Sequence, residues 1–187
     1  MSFSDAPILG PRLETPRLIL RPPAAVDYPA WCELLADPEA ARFIGGVQPP
    51  AVAWRGLVAM AGAWALYGFA MFSVLERQSG RWIGRIGPWK PEGWPGTEVG
   101  WALLRSAWGQ GYAEEAAAAS ITWAFDQLRW QEVVHVIAPE NQASIRLAER
   151  LGSTLRGPTR LPAPHDTLEV HLWGQSKAQW RGRQRRA

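Results

Sequence analysis

The alternation of apolar and polar positions divides the chain into short elements. Arg17 to Arg21 predicts a strand, closed by Pro22 and Pro23, which have no ladder donor. Ala24 to Ala36 predicts a helix with Trp31, Leu34 and Leu35 toward the core. Asp37-Pro38 and the Gly45-Gly46 pair mark a loop. A second helix follows, Ala51 to Leu66, with Trp54, Leu57, Val58, Ala61 and Ala65 at core-facing spacing. Phe69 to Glu76 and Trp82 to Gly87 flank Ser79-Gly80 and predict a hairpin. Pro88 to Thr97, with three prolines and two glycines around Trp89 and Trp94, predicts a stiff loop into a strand, Glu98 to Leu104. A long alanine-rich helix reaches about Leu128, and a β-branched strand runs from Glu132 to Ala138. Asn141 to Leu151 predicts a helix capped by Asn141 and stopped by Gly152, and Thr167 to Trp173 a last strand. This order makes an α/β chain, a mixed sheet with helices on both faces.

Between the Glu98 strand and the long helix lies Trp108-Gly-Gln-Gly-Tyr-Ala-Glu-Glu115. Glycine admits positive φ and puts no Cβ in the way of a ligand. The first amides of a helix lack intrahelical partners and carry the positive end of its dipole. Together these features predict an anion cradle, most naturally for a phosphate or pyrophosphate. Two common phosphate loops are excluded. The dinucleotide fingerprint needs a third glycine and an acid about 20 positions on, after a second strand. Here the third position is Ala113 or Glu114, and Asp126 lies inside the helix. The Gly-Lys-Ser/Thr of a P-loop is absent.

A length of 187 residues suits one domain with a substantial core. No apolar run approaches the roughly 18 residues of a membrane span. Met1 to Pro11 lacks the basic start and apolar centre of a signal peptide. Cys32 alone allows no intrachain disulfide, and no zinc-ligand spacing is present. The expectation is a cytoplasmic protein with no membrane partner and no metal. A pI near 9.5 invites a nucleic-acid reading, but Arg181, Arg183, Arg185 and Arg186 carry that excess. Without those four, the formal +3 becomes −1 for residues 1–180, which argues against a basic groove in the folded body.

Four segments carry a resemblance: Glu14-Thr-Pro-Arg-Leu-Ile-Leu-Arg21, Glu98-Val-Gly-Trp101, Trp108-Gly-Gln-Gly-Tyr-Ala-Glu-Glu-Ala116 and Asn141-Gln-Ala-Ser-Ile-Arg-Leu-Ala-Glu-Arg-Leu-Gly152. In this order and spacing the chain resembles the GNAT superfamily of acetyl-coenzyme-A-dependent N-acetyltransferases, in particular the RimJ/RimL-type branch, over roughly residues 13–175. The resemblance implies a mostly antiparallel twisted sheet of about six to seven strands. It places one domain at 13–180, between an N-terminal extension (1–12) and a disordered basic tail (181–187). The co-substrate implied is acetyl-CoA. Its pyrophosphate would meet the amides of Gly109, Gln110, Gly111, Tyr112, Ala113 and Glu114, with Trp108 bracing the turn. Its pantetheine arm would pair with Leu103, Leu104 and Arg105 and touch Asn141. Ser144 would lie near the sulfur, where other members place a tyrosine that protonates the leaving thiolate. The chain departs from the pattern at Ser106, often Arg or Gln, and at Ser153, usually Phe.

Glu98 is the candidate general base, because partial burial in a strand raises a carboxylate toward useful pKa values. The competing reading is an exposed or salt-bridged strand glutamate. Trp89 and Trp94 are candidate walls of an acceptor site, whereas Trp31, Trp54 and Trp64 sit at structural helix spacing. His135 and His171 read as packed or surface residues. The expected activity is direct attack of a primary amine on acetyl-CoA in a ternary complex. The acceptor would be a protein N-terminal amine, such as that of a ribosomal protein, or a small amine, amino acid or amine-bearing antibiotic. A homodimer is compatible with the sequence. A non-catalytic acyl-CoA-binding module on the same fold is the alternative of a different class.

Overall fold

Eight strands join in one sheet in the computed structural model, which describes residues 9–185. In chain order they are β1 (Leu13–Glu14), β2 (Leu18–Arg21), β3 (Phe72–Glu76), β4 (Trp82–Trp89), β5 (Glu98–Leu103), β6 (Glu132–Ile137), β7 (Thr154–Thr159) and β8 (Val170–Ser176). The helices are α1 (Tyr28–Ala36), α2 (Pro38–Ala41), α3 (Pro50–Tyr67), α4 (Tyr112–Asp126), α5 (Gln142–Leu151) and α6 (Lys177–Gln184). Sheet order is β1-β2-β3-β4-β5-β6-β8-β7, and every pairing is antiparallel except β5 with β6.

Strand alternation sorts the helices onto the two faces. Phe72 and Glu76 share one face, where Trp123 of α4 packs edge-on against Phe72 and Tyr112 of α4 donates to Glu76. Arg85 and its cross-strand partner Ser73 point the other way, where Trp31 of α1 meets Arg85. Trp64 of α3 completes the core at 4.9 Å from Phe72 and 5.8 Å from Trp123, with its Nε1–H donated to the Met71 carbonyl.

Several elements differ from expectation. The first and seventh strands are additions to the predicted set. β1 is two residues long, too short to leave a periodic signal. β7 contains Gly157-Pro158, a breaker signal in sequence, and is tolerated because β7 is the sheet edge. β4 runs on through Pro88 and Trp89, where the proline content predicts a loop. α2 is a short extra helix held by the Asp37 side chain, which accepts from the amides of Glu39 and Ala40.

The predicted inner face of α3 requires correction. Ala53, Leu57, Met60 and Trp64 are buried, while Trp54 and Val58 are exposed. Apolar residues surround most of this helix, so periodicity alone selects no face. At the C-terminus, Ser176 and Gln179 form a reciprocal capping box that opens α6 and buries Trp180. Arg181 pairs with Asp126 and Arg183 with the Arg150 carbonyl, so the chain is helical where a tail was expected to begin. Among the described residues, no helix is long and apolar enough to cross a membrane.

The corrected face of α3 has a measurable consequence. Trp64→Ala, which empties the α3–Phe72–α4 contact, is expected to cost about 3–5 kcal/mol in urea unfolding. Trp54→Ala is expected to stay within about 0.5 kcal/mol of the parent. Equal losses would return Trp54 to the core.

Candidate active site

β5 and β6 share one paired position, Glu98 with Val134, and then part. Thr97 accepts from the Val134 amide at 3.0 Å, and a regular parallel ladder would next join the Val136 amide to the Val99 carbonyl. Side chains replace that bond. Glu98 Oε1 accepts from the Val136 amide at 3.1 Å, and His135 Nδ1 bonds the Val99 carbonyl at 2.7 Å. Each strand thus caps the other's unpaired backbone group, and the two polar side chains wedge the sheet open.

The wedge fixes the protons on His135. A carbonyl only accepts, so Nδ1 carries the hydrogen, and Nε2 accepts from Ser153 Oγ at 3.0 Å. Ser153 in turn accepts from Gln175 Nε2 at 3.1 Å, and that amide also donates to the Leu151 carbonyl. All three side chains are buried. Burial lowers His135 to about 4, so it is neutral at pH 7. Ser153, which departs from the family pattern, therefore belongs to a buried polar chain rather than leaving a packing gap.

Glu98 is buried, which excludes the reading of an exposed strand glutamate. Its second oxygen accepts from Trp94 Nε1 at 2.6 Å. Burial raises its pKa to about 7, against the opposing pull of the Val136 amide, the Trp94 indole and the Arg85 charge. Trp89 lies across the ladder from Glu98. Trp89, Trp94, Glu98 and Ser144 line one cavity of about 740 Å³.

The glycine turn forms as predicted. Gly109 and Gly111 both take the left-handed conformation, φ 73° and 77°, and Gly111 is the N-cap of α4. Among the described residues, the main-chain N–H groups of 109–114 donate no hydrogen bond, and a Cβ added at Gly109 would meet no atom within 4 Å. The amide set therefore fits a diphosphate. Trp108 Nε1 donates to the Leu103 carbonyl at 3.0 Å, tying the turn to the strand end, and Gln110 Nε2 folds back to the Ser106 carbonyl.

Of the three strand-end residues singled out, only Leu103 presents its backbone to the gap. The Leu104 amide is bonded to the Ile83 carbonyl, and Arg105 opens a 3-10 turn with its side chain on Asp37. By alternation, the Leu103 N–H and C=O point toward the β6 side.

Asn141 caps α5, its Oδ1 accepting from the Ser144 amide at 3.1 Å. Ser144 Oγ accepts from Trp101 Nε1 at 3.0 Å, and the Trp101 ring lies 4.7 Å from the His135 ring. The wedge and Ser144 are thereby linked through one indole.

Two supporting residues escaped the sequence reading, although both lie inside the quoted motifs. One is Trp101. The other is Arg17, whose Nη1 donates to the Gln110 carbonyl at 2.8 Å and whose Nε donates to Glu115 at 2.6 Å. Its guanidinium stands 4.7 Å over the Tyr112 ring, adding positive charge beside the turn. Burial would raise Glu115, but bonds from Thr15 and Arg17 hold it below its ordinary value. Among the described residues, no three His, Cys, Asp or Glu side chains gather as they would around a metal.

Fold and site together define an α/β protein with a split sheet, a buried carboxylate where β5 begins and a turn of unpaired amides beyond where it ends. The model of the acetyltransferase (GNAT) domain matches residues 17–154. The chain thus belongs to the GNAT acetyltransferase family, a family of enzymes. It is similar to the crystal structure of the acetyltransferase from Agrobacterium tumefaciens str. C58, with 31% identity, 89% of this chain and 95% of that one covered, and a TM-score of 0.79. The uncharacterized N-acetyltransferase p20 of Bacillus licheniformis is 28% identical over 175 residues, 91% of this chain and 98% of that protein. The uncharacterized protein YkkB of Bacillus subtilis (strain 168) is 34% identical over 88 residues, 46% of this chain, and the match spans about half of that protein, 51%.

The state of Glu98 is open to measurement through stability. In the fold it keeps its proton up to about pH 7, and an unfolded glutamate releases it near 4.5. The folded state binds more protons between those values, so this group's contribution falls as pH rises through the window. His135 acts with the opposite sign, losing stability as pH drops below its ordinary 6.5 toward about 4. Subtracting the unfolding curve of Glu98→Gln cancels His135. The parent is expected to lose on the order of 3 kcal/mol relative to the variant from pH 4.5 to 7. Parallel curves would mean that Glu98 titrates normally.

Proposed function

We propose that the protein transfers the acetyl group of acetyl-CoA to a primary amine by direct attack within a ternary complex. The observation that carries this reading is the buried Glu98 at the point where β5 and β6 part, with the unpaired amides of 109–114 beyond the other end of β5. Bound acetyl-CoA supplies a thioester carbonyl activated toward amines. The amides of Gly109 to Glu114 hold its diphosphate, and Arg17 adds positive charge at that end. The Leu103 N–H is the donor for the thioester oxygen, where negative charge grows during attack. Asn141 uses Oδ1 on the α5 amide, which leaves its NH2 for the pantetheine arm.

Glu98 takes the amine proton, directly or through water. An α-amino group titrates near 8 and Glu98 near 7, so the transfer is close to balanced. Trp94 holds the carboxylate in place. Ser144 receives the Trp101 indole N–H on its oxygen, which leaves its own proton to be donated to the departing sulfur. The resemblance of the four motif segments supports a RimJ/RimL-type enzyme, and we read the acceptor as a protein N-terminus or a small amine and the setting as cytoplasmic.

Thiol release across a panel of amines, followed against pH, tests the assignment. Glu98→Gln is expected to lower kcat/KM on the order of 100-fold or more and to remove the ionisation near 7, leaving only that of the amine. Ser144→Ala is expected to lower the profile without changing its shape. An unchanged profile in Glu98→Gln would exclude it as the base. Coenzyme A binding without thiol release from any amine would favour the non-catalytic reading.

A further inference from the structure

The cavity contains a guanidinium that, among the described residues, forms no ion pair. Arg85 sits in the middle of β4 opposite Ala102, on the same sheet face as Trp89 and Glu98. It is one of the cavity-lining residues. Its guanidinium stacks 5.0 Å over the Trp31 ring. Nη1 reaches only Met71 Sδ at 3.8 Å, a weak acceptor, and Nε is enclosed with no hydrogen-bond partner. Among the described residues, no carboxylate lies within 4.0 Å of it. Glu98 senses its charge but has turned both oxygens to Val136 and Trp94.

Another part-buried guanidinium on the sheet is paired with a carboxylate. Arg21 makes a two-pronged contact with Asp27, at 2.8 and 2.6 Å, and also donates to the Pro22 carbonyl. A part-buried arginine with an enclosed, unpartnered Nε is costly, and a bound anion reduces that cost. Burial lowers Arg85 to about 10, with Glu98 pulling the other way, so it stays charged at pH 7. The other carboxylates of the cavity, Glu140 and Glu169, are exposed at its rim. Between Arg85 and Glu98 this face carries Gly87 and Gly100, with the flexible Met71 across them. The geometry therefore offers one cationic and one basic site on a shared surface, walled by Trp89 and Trp94.

We propose that Arg85 is an anion-binding subsite of the acceptor pocket, and that the acceptor carries a carboxylate which docks on this guanidinium while its amine faces Glu98. The planar fork of an arginine matches a carboxylate in two-pronged fashion. The amine half of this inference rests on the acetyl-transfer reading above. The carboxylate half does not. Two sources share the chemistry: a free amino acid, or a peptide whose acidic side chain lies close to its terminal amine.

Two pairs of acceptors separate these sources. Phenylalanine is compared with 2-phenylethylamine, and a peptide with Asp at position two with its Asn counterpart. The wild type is expected to favour the carboxylate-bearing member of one pair on the order of 10- to 100-fold in kcat/KM, and that pair names the source. Arg85→Gln is expected to abolish the preference while changing the uncharged member by about threefold or less, and Arg85→Lys to keep part of it. Equal treatment of both members by the wild type overturns the proposal. So does an equal loss for both in Arg85→Gln, the mark of a structural role or of tuning Glu98. Should no amine turn over, calorimetry with 3-phenylpropionate, which has no amine to acetylate, decides alone. Binding to the wild type that is lost in Arg85→Gln supports the subsite, and no binding to the wild type overturns it.

Discussion

One parallel pair, Glu98 with Val134, holds the two halves of the sheet together, and the site is built from what happens to the backbone just beyond it. Continuing the ladder would satisfy the Val136 amide and the Val99 carbonyl and close the gap. Glu98 and His135 satisfy them instead, from opposite strands. Buried backbone groups must find partners, so a split in a sheet survives only where side chains cap it. The same requirement explains why these two polar residues are buried and why neither is a passive core residue. It also explains the raised pKa of Glu98. A buried carboxylate placed to accept a strand amide resists ionisation, and its hydrogen bonds recover only part of that cost.

The consequences spread along both strands. On the β6 side, the tautomer imposed on His135 orders Ser153 and Gln175 behind it, while its ring supports Trp101 and hence Ser144. On the β5 side, the strand runs on to Leu103 without further pairing to β6, and the chain then turns through two left-handed glycines into α4. Arg17 fastens this turn from β2's flank by bonding both Gln110 and Glu115. The unpaired amides are thus positioned by contacts that do not use them. Rigid support around unused donors is the arrangement that binds an anion with little reorganisation.

Much of this was legible in the sequence where the signal was local. Asn141 and Gly152 bound their helix because capping chemistry acts within a turn, and both take the expected roles. Gly109 and Gly111 were readable for the same reason, since positive φ is a property of the residue itself. What depended on distant partners was not readable. Trp54 shared a helical period with Leu57 but points outward, because α3 offers apolar residues on nearly every side. Leu104 and Arg105 looked equivalent to Leu103, yet one amide is held by Ile83 and the other residue has left the strand. The reciprocal caps joining residues 98 and 99 to 135 and 136 lie more than 30 positions apart, and no spacing rule connects them. Nothing in the sequence singles out Arg85, since its lack of a counter-ion within bonding distance is a fact of three-dimensional packing.

The most direct measurement is an amide-resolved NMR titration of the protein with coenzyme A. If the free donors of the glycine turn grip the diphosphate, the N–H resonances of residues 109–114 shift first and furthest, and Leu103 moves with them as the arm reaches the strand edge. Shifts confined to other parts of the surface, with residues 109–114 unmoved at saturation, would contradict the cradle and with it the site built around it.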